Sequence, residues 1–145
     1  MYTQNSTFSP KIGEVYAMRF SGTGSEQGGV RPGVVFQNNV GNAHSPNIIA
    51  LPMTSVIKKL GQPTHVLLRA RECGLDKDSV VLCENPERMS KDRIGRFITK
   101  LCDSDMARIA EANMLATSAV AFLDLDALMR VWERASSLNG MKHPA

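Results

Sequence analysis

The order of apolar and polar positions along the chain changes character once, near residue 103. Before that point the apolar runs are short and β-branched. Residues 13–20, GEVYAMRF, predict a strand with Val15 and Ala17 on one face and Tyr16 and Met18 on the other. Residues 33–37, GVVFQ, form a continuous apolar run, which predicts a second strand buried on both faces. NIIALPM predicts a third strand ending near Thr54, and further strands are expected at 65–69, 79–84 and 96–101. Between them lie turn clusters: the glycine-rich SGTGSEQGGVRP, then NNVGNAHSPN, then the stretch holding Lys58, Lys59 and Gly61. No helical crossover separates these strands. The pattern predicts a small antiparallel barrel rather than a parallel sheet.

After residue 103 the period becomes helical. Asp103 or Ser104 can cap a helix in which Met106, Ile109, Ala112, Ala116, Ala119 and Val120 recur at helical spacing. A second helix is expected over 126–138, with Leu125, Leu128, Met129 and Trp132 as its apolar stripe and Asn139-Gly140 as its stop. The expected organisation is a loose arm at 1–10, one domain at 11–121 and a helical extension at 122–145. The fold class is mainly β with C-terminal helices.

Composition narrows the function more than the fold. A chain of 145 residues with 43% apolar and 21% charged residues fits one soluble domain. No apolar run approaches the roughly 20 residues that span a bilayer. The first residues also lack the apolar core of a secretory signal, so a cytoplasmic protein without membrane attachment is expected. Cys73, Cys83 and Cys102 show no C-x-x-C spacing, and His44, His65 and His143 do not cluster with carboxylates or cysteines, so no metal site and no cofactor are expected. The net charge is +3, and all of it falls in residues 1–60, where five Lys/Arg meet two acids; residues 61–145 carry twelve of each. That bias is compatible with a polyanion approaching one face.

No nucleophile-elbow serine, phosphate-binding Walker loop or dinucleotide fingerprint is present. What remains is the loop 24–32, GSEQGGVRP. It offers backbone N–H groups freed by glycine, the side chains of Glu26 and Gln27, and Arg31 at its exit. Such a loop can hold a phosphate, with the arginine fixed by the strand that follows.

With its flanks, this segment closely resembles the MazF/PemK toxin family. The resemblance is carried by Gly13-Glu14-Val15, by Gly24-Ser25-Glu26-Gln27-Gly28-Gly29-Val30-Arg31-Pro32, and by VVFQNNVGN. It continues through Leu51-Pro52-Met53-Thr54, P-T-H-V at 63–66, G-x-x-x-D-S-V-x-L-x-E at 74–84 and the closing helix. It covers roughly residues 11–121. The resemblance implies an SH3-like barrel, a homodimer, metal-independent cleavage of single-stranded RNA at a short sequence, and inhibition by a cognate antitoxin peptide laid over the RNA groove. It places the catalytic arginine and threonine at Arg31 and Thr54. Ser25, Glu26, Gln27, Gly28, Gly29, His65, Glu84 and Asn85 become candidate RNA contacts.

The chemistry asks little of such a protein. RNA carries its own nucleophile in the 2′-hydroxyl, so the enzyme must orient the attack and neutralise charge on the phosphorane. Arg31 offers a two-pronged guanidinium and Thr54 a hydroxyl donor. Arginine as a class is a poor general base, so an electrostatic role is expected of it, with His65 or Glu26 as candidates to assist proton transfer. A rival reading on the same fold is a non-catalytic barrel that binds RNA, or a protein target as the CcdB gyrase poisons do. That family lacks the glycine loop with its Arg-Pro exit.

Overall fold

The computed structural model describes residues 8–21, 29–57 and 60–140. Seven strands form one antiparallel sheet: β1 (Glu14–Phe20), β2 (Gly29–Val35), β3 (Asn47–Thr54), β4 (His65–Leu68), β5 (Ser79–Leu82), β6 (Glu87–Ser90) and β7 (Ile94–Lys100). The hydrogen-bonded order is β4-β5-β3-β2-β1-β7, with β6 also paired to β3. The sheet is curled, but β4 and β7 do not pair, so backbone hydrogen bonds do not close it into a complete barrel. Among the described residues four α-helices accompany it: α1 (Asn39–His44), α2 (Ala70–Cys73), α3 (Asp103–Thr117) and α4 (Leu125–Leu138).

The curl divides the core in two. On one side Tyr16, Met18, Phe20, Val35, Ile48, Ala50, Met89 and Ile94 pack together. On the other, Val15, Val34, Leu51, Met53, Val66 and Val81 are covered by Ile109 and Ala112 of α3. The central strands therefore bury side chains on both faces, as the unbroken apolar run in β2 predicts. Alternate residues of one strand serve different clusters: Val34 faces one and Val35 the other. Phe8 meets Tyr16 edge-on with ring centroids 5.5 Å apart, so the last residues of the expected N-terminal arm lie against the sheet rather than free of it.

Several boundaries differ from the sequence expectation, each for a physical reason. β2 begins at Gly29, inside the segment expected to be loop, because residues 29–34 pair with β1 from Phe20 back to Val15. The turn cluster NNVGNAHSPN contains the helix α1. Asn38 caps it by accepting from the Gly41 N–H at 2.8 Å, and the fully buried Asn42 donates to the Gln37 carbonyl at 2.8 Å. β6 was not expected at all; its sequence ERMS lacks β-branched residues, and the strand exists because β3 supplies a partner from Asn47 to Ala50.

α3 is capped by the Cys102 position, not by the side chain of Asp103 or Ser104. It ends at Thr117, where Ser118 turns left-handed with φ of 56°, so Ala119 and Val120 belong to a separate short turn. α4 starts one residue early, with Asp124 accepting from the Ala127 N–H at 2.8 Å. No residue of its stripe is fully buried: Leu125 is 78% exposed and Leu128 half-buried.

Gly33 of β2 lies opposite Tyr16 of β1. A β-carbon there would come within 2.7 Å of both the Met18 sulfur and the Phe20 ring, which are themselves buried. Gly33→Ala is expected to cost about 1–3 kcal/mol through overpacking. A urea titration that leaves the midpoint unchanged would contradict this.

Candidate active site

The pairing of β2 with β3 runs from Val35 opposite Ala50 to Gly33 opposite Pro52. Followed two residues further, the same register sets Arg31 opposite Thr54. No ladder pair is formed there between the two strands. Pro32, which has no amide hydrogen to give, stands at the point where they part. The opening is a cleft of about 450 Å³ lined by Arg31, Pro32, Thr54, Ser55, Lys77 and Arg96 among others.

Each of the two central side chains is positioned by its strand. Arg31 is half-buried and pairs across β1 with Met18. Thr54 closes β3 and pairs with Val80 of β5. Its hydroxyl oxygen accepts from the Val56 N–H at 3.1 Å, which fixes the side chain and leaves the hydroxyl proton to be donated elsewhere. Gly29 opens β2 with φ of 85°, a conformation that side chains rarely adopt.

The far wall of the cleft explains the G-x-x-x-D-S-V pattern. Gly74 caps α2 in the left-handed region, where a β-carbon would lie 2.9 Å from the Thr99 hydroxyl. Asp78 accepts from the Ala70 N–H at 2.8 Å and from Arg69 at 3.2 Å, and these bonds hold its carboxyl below the usual range. The turn between them presents Leu75, Asp76 and Lys77 to the cleft. Among the described lining residues, Arg31, Lys77 and Arg96 outnumber the carboxylate Asp76, a balance that favours an anion.

Arg96 and Lys77 were missed by sequence reasoning. The sequence pattern marks Arg96 only as part of a strand, and Lys77 only as a variable position in a motif. The polar places of a half-buried strand, taken as one surface with Arg31, are the signal that finds Arg96.

His65 and Glu84 lie elsewhere. They contact each other at 2.8 Å, Nε2 to Oε2. His65 lines a second hollow of about 290 Å³ with Gln62, Pro63, Arg108 and Glu111, between β4 and α3. Because His65 stands opposite Leu82 while Thr54 stands opposite Val80, the two are separated across β5 as well as along it. His65 is therefore not placed to move a proton in the Arg31–Thr54 cleft. Asn85 is half-buried in the turn after β5, where its N–H donates to the Leu82 carbonyl at 3.1 Å. Ser25, Glu26, Gln27 and Gly28 lie outside the described residues, as do Lys58, Lys59 and His143. Among the described residues, no three His, Cys, Asp or Glu side chains are grouped to hold a metal ion, and no helix is long and apolar enough to cross a membrane.

An antiparallel sheet of seven strands thus carries a guanidinium and a hydroxyl on the lining of one open, cationic cleft. Known proteins give this arrangement a family. Residues 11–116 match the PemK-like, MazF-like toxins of type II toxin–antitoxin systems. The chain is 41% identical over 113 residues to endoribonuclease EndoA of Bacillus subtilis, covering 77% of this chain and 97% of that one. MazF of Deinococcus radiodurans shares the fold, with a TM-score of 0.65, 24% identity and coverage of 77% and 98% of the two chains. So does a mycobacterial endoribonuclease solved in complex with its cognate antitoxin, with a TM-score of 0.62, 23% identity and coverage of 77% and 97%. The chain belongs to the PemK/MazF toxin family.

Proposed function

We propose that this toxin is an endoribonuclease that cuts single-stranded RNA at a short sequence without a metal ion, leaving 2′,3′-cyclic phosphate and 5′-hydroxyl ends. The observation that carries the reading is that Arg31 and Thr54, at the parted ends of β2 and β3, line one open cleft of about 450 Å³. Arg31 binds non-bridging oxygens of the scissile phosphate in two-pronged fashion and gains strength as charge grows on the phosphorane. Thr54 donates its hydroxyl proton to the same phosphate. Arg96 and Lys77 neutralise flanking phosphates.

Ser25, Glu26, Gln27, Gly28 and Gly29 contact the RNA strand, as do His65, Glu84 and Asn85 beyond the scissile position. The partners follow the family reading: a cognate antitoxin that covers the cleft, and a second copy in a homodimer acting in the cytoplasm. The exposed apolar stripe of α4 gives the 122–145 extension surface to contribute to that dimer.

End-labelled single-stranded RNA incubated with the protein in EDTA tests this directly. Cleavage is expected to persist in the chelator and to yield ends resistant to 5′-phosphate-dependent exonuclease. Tight binding with no cleavage would instead make the chain a non-catalytic RNA-binding barrel, and neither binding nor cleavage would favour a protein target.

A further inference from the structure

Two cysteines that the cleft chemistry does not use converge on one carboxylate. Cys73 is the last residue of α2, and Cys102 stands at the N-cap of α3. Both thiols donate to the same oxygen, Oδ2 of Asp105, at 3.4 Å and 3.2 Å. The sulfurs can therefore be no further apart than those two contacts laid end to end. The other oxygen of Asp105 accepts from Arg108 at 2.9 Å, which keeps the carboxylate in place and, as the largest cause, holds its pKa below the usual range.

The pair is also unequal. Cys102 is exposed and Cys73 buried. Burial, and then the hydrogen bond and charge of Asp105, push the Cys73 thiol up to about 11, so it rests as a thiol.

We infer that Cys73 and Cys102 form a reversible oxidation site, in which a hydroperoxide oxidises Cys102 and Cys73 closes the disulfide. The exposed sulfur of Cys102 attacks the peroxide oxygen. The O–O bond breaks, Cys102 becomes a sulfenic acid, and one water (or alcohol) leaves. The Cys73 sulfur then attacks the Cys102 sulfur. As the S–S bond forms and the S–O bond breaks, the Cys73 proton moves along its hydrogen bond to Asp105 and on to the departing hydroxide in one concerted step, so a second water leaves. Cys83 stays outside this chemistry: it is fully buried, and its hydrogen-bond contact is to the Val81 carbonyl at 3.7 Å.

The disulfide would tie α2 to the start of α3. Cys73 is followed by Gly74 and then by Leu75, Asp76 and Lys77 of the cleft wall, so its position bears on the RNA site. The thiol chemistry does not rest on the nuclease reading. Only its effect on cleavage does.

The test uses the full reduced chain, treated with hydrogen peroxide, quenched with catalase, blocked with N-ethylmaleimide in denaturant and digested with trypsin. The expected result is a cross-linked peptide pair, 72–77 with 101–108, formed in most of the protein and absent before oxidation, while Cys83 carries the maleimide. Cys102→Ser abolishes the pair and Cys83→Ser leaves it. Asp105→Asn slows closure, so that dimedone traps several-fold more sulfenic acid at Cys102. Cys102 ending as sulfinic acid, or joined to Cys102 of a second copy, with Cys73 fully labelled, would overturn the proposal. Oxidised protein is expected to cleave RNA several-fold more slowly and to recover in dithiothreitol. A cross-link that leaves cleavage unchanged would overturn the coupling to the cleft.

Discussion

Arg31→Ala is expected to slow RNA cleavage by about a thousandfold while leaving the protein folded. The magnitude follows from what is removed: a two-pronged charged donor aimed at a phosphoryl group whose charge rises toward the transition state. The fold survives because Arg31 is half-buried near the start of β2, outside both core clusters, and its backbone pairing with Met18 does not depend on the side chain.

The loss should fall mainly on kcat, since Lys77 and Arg96 remain to hold the strand. Arg31→Lys retains the charge but not the fork, and an intermediate rate is expected. Thr54→Ala removes a single neutral donor, for which a loss of about 10- to 100-fold is expected, corresponding to roughly 1.4–2.7 kcal/mol. Single-turnover cleavage of a fixed RNA by the three variants decides the ranking. Equal rates for Arg31→Ala and the parent would remove the guanidinium from the mechanism, and with it the assignment of this cleft.

The residues that carry this prediction were legible before any coordinates, because their signal is local. Glycines followed by Arg-Pro constrain one loop exit, and Thr54 ends a strand whose apolar run announces itself. Other parts were legible only through pairing. β6 is a strand because β3 offers it an edge, and ERMS has no preference strong enough to show that alone. α1 depends on the buried amide of Asn42 finding its carbonyl, an arrangement that composition disguises as a turn. The cationic lining of Lys77 and Arg96 comes from a turn and a strand distant in sequence from Arg31 and cannot be seen in any one window. His65 illustrates the converse. A motif places it among the candidate RNA contacts, and the register of β4 against β5 sets it beside Glu84, across β5 from Thr54.

The two C-terminal helices look alike in sequence and differ in what they hold. Ile109→Ala is expected to destabilise the protein by about 2–4 kcal/mol, because Ile109 is fully buried and joins α3 to the sheet through the cluster of Val15, Val66 and Leu101. Leu125→Ala on α4 removes a comparable side chain that is 78% exposed, and a cost of about 0.5 kcal/mol or less is expected in a single chain. The first change reaches the cleft as well. Leu75, half-buried against the same cluster, lines the cleft wall, so loosening α3 releases the surface that Lys77 rides on. Urea unfolding of the two variants at several protein concentrations separates the contributions. A small loss for Ile109→Ala would mean that α3 is not the lid of the core. A large, concentration-dependent loss for Leu125→Ala would place the α4 stripe between two copies of the chain.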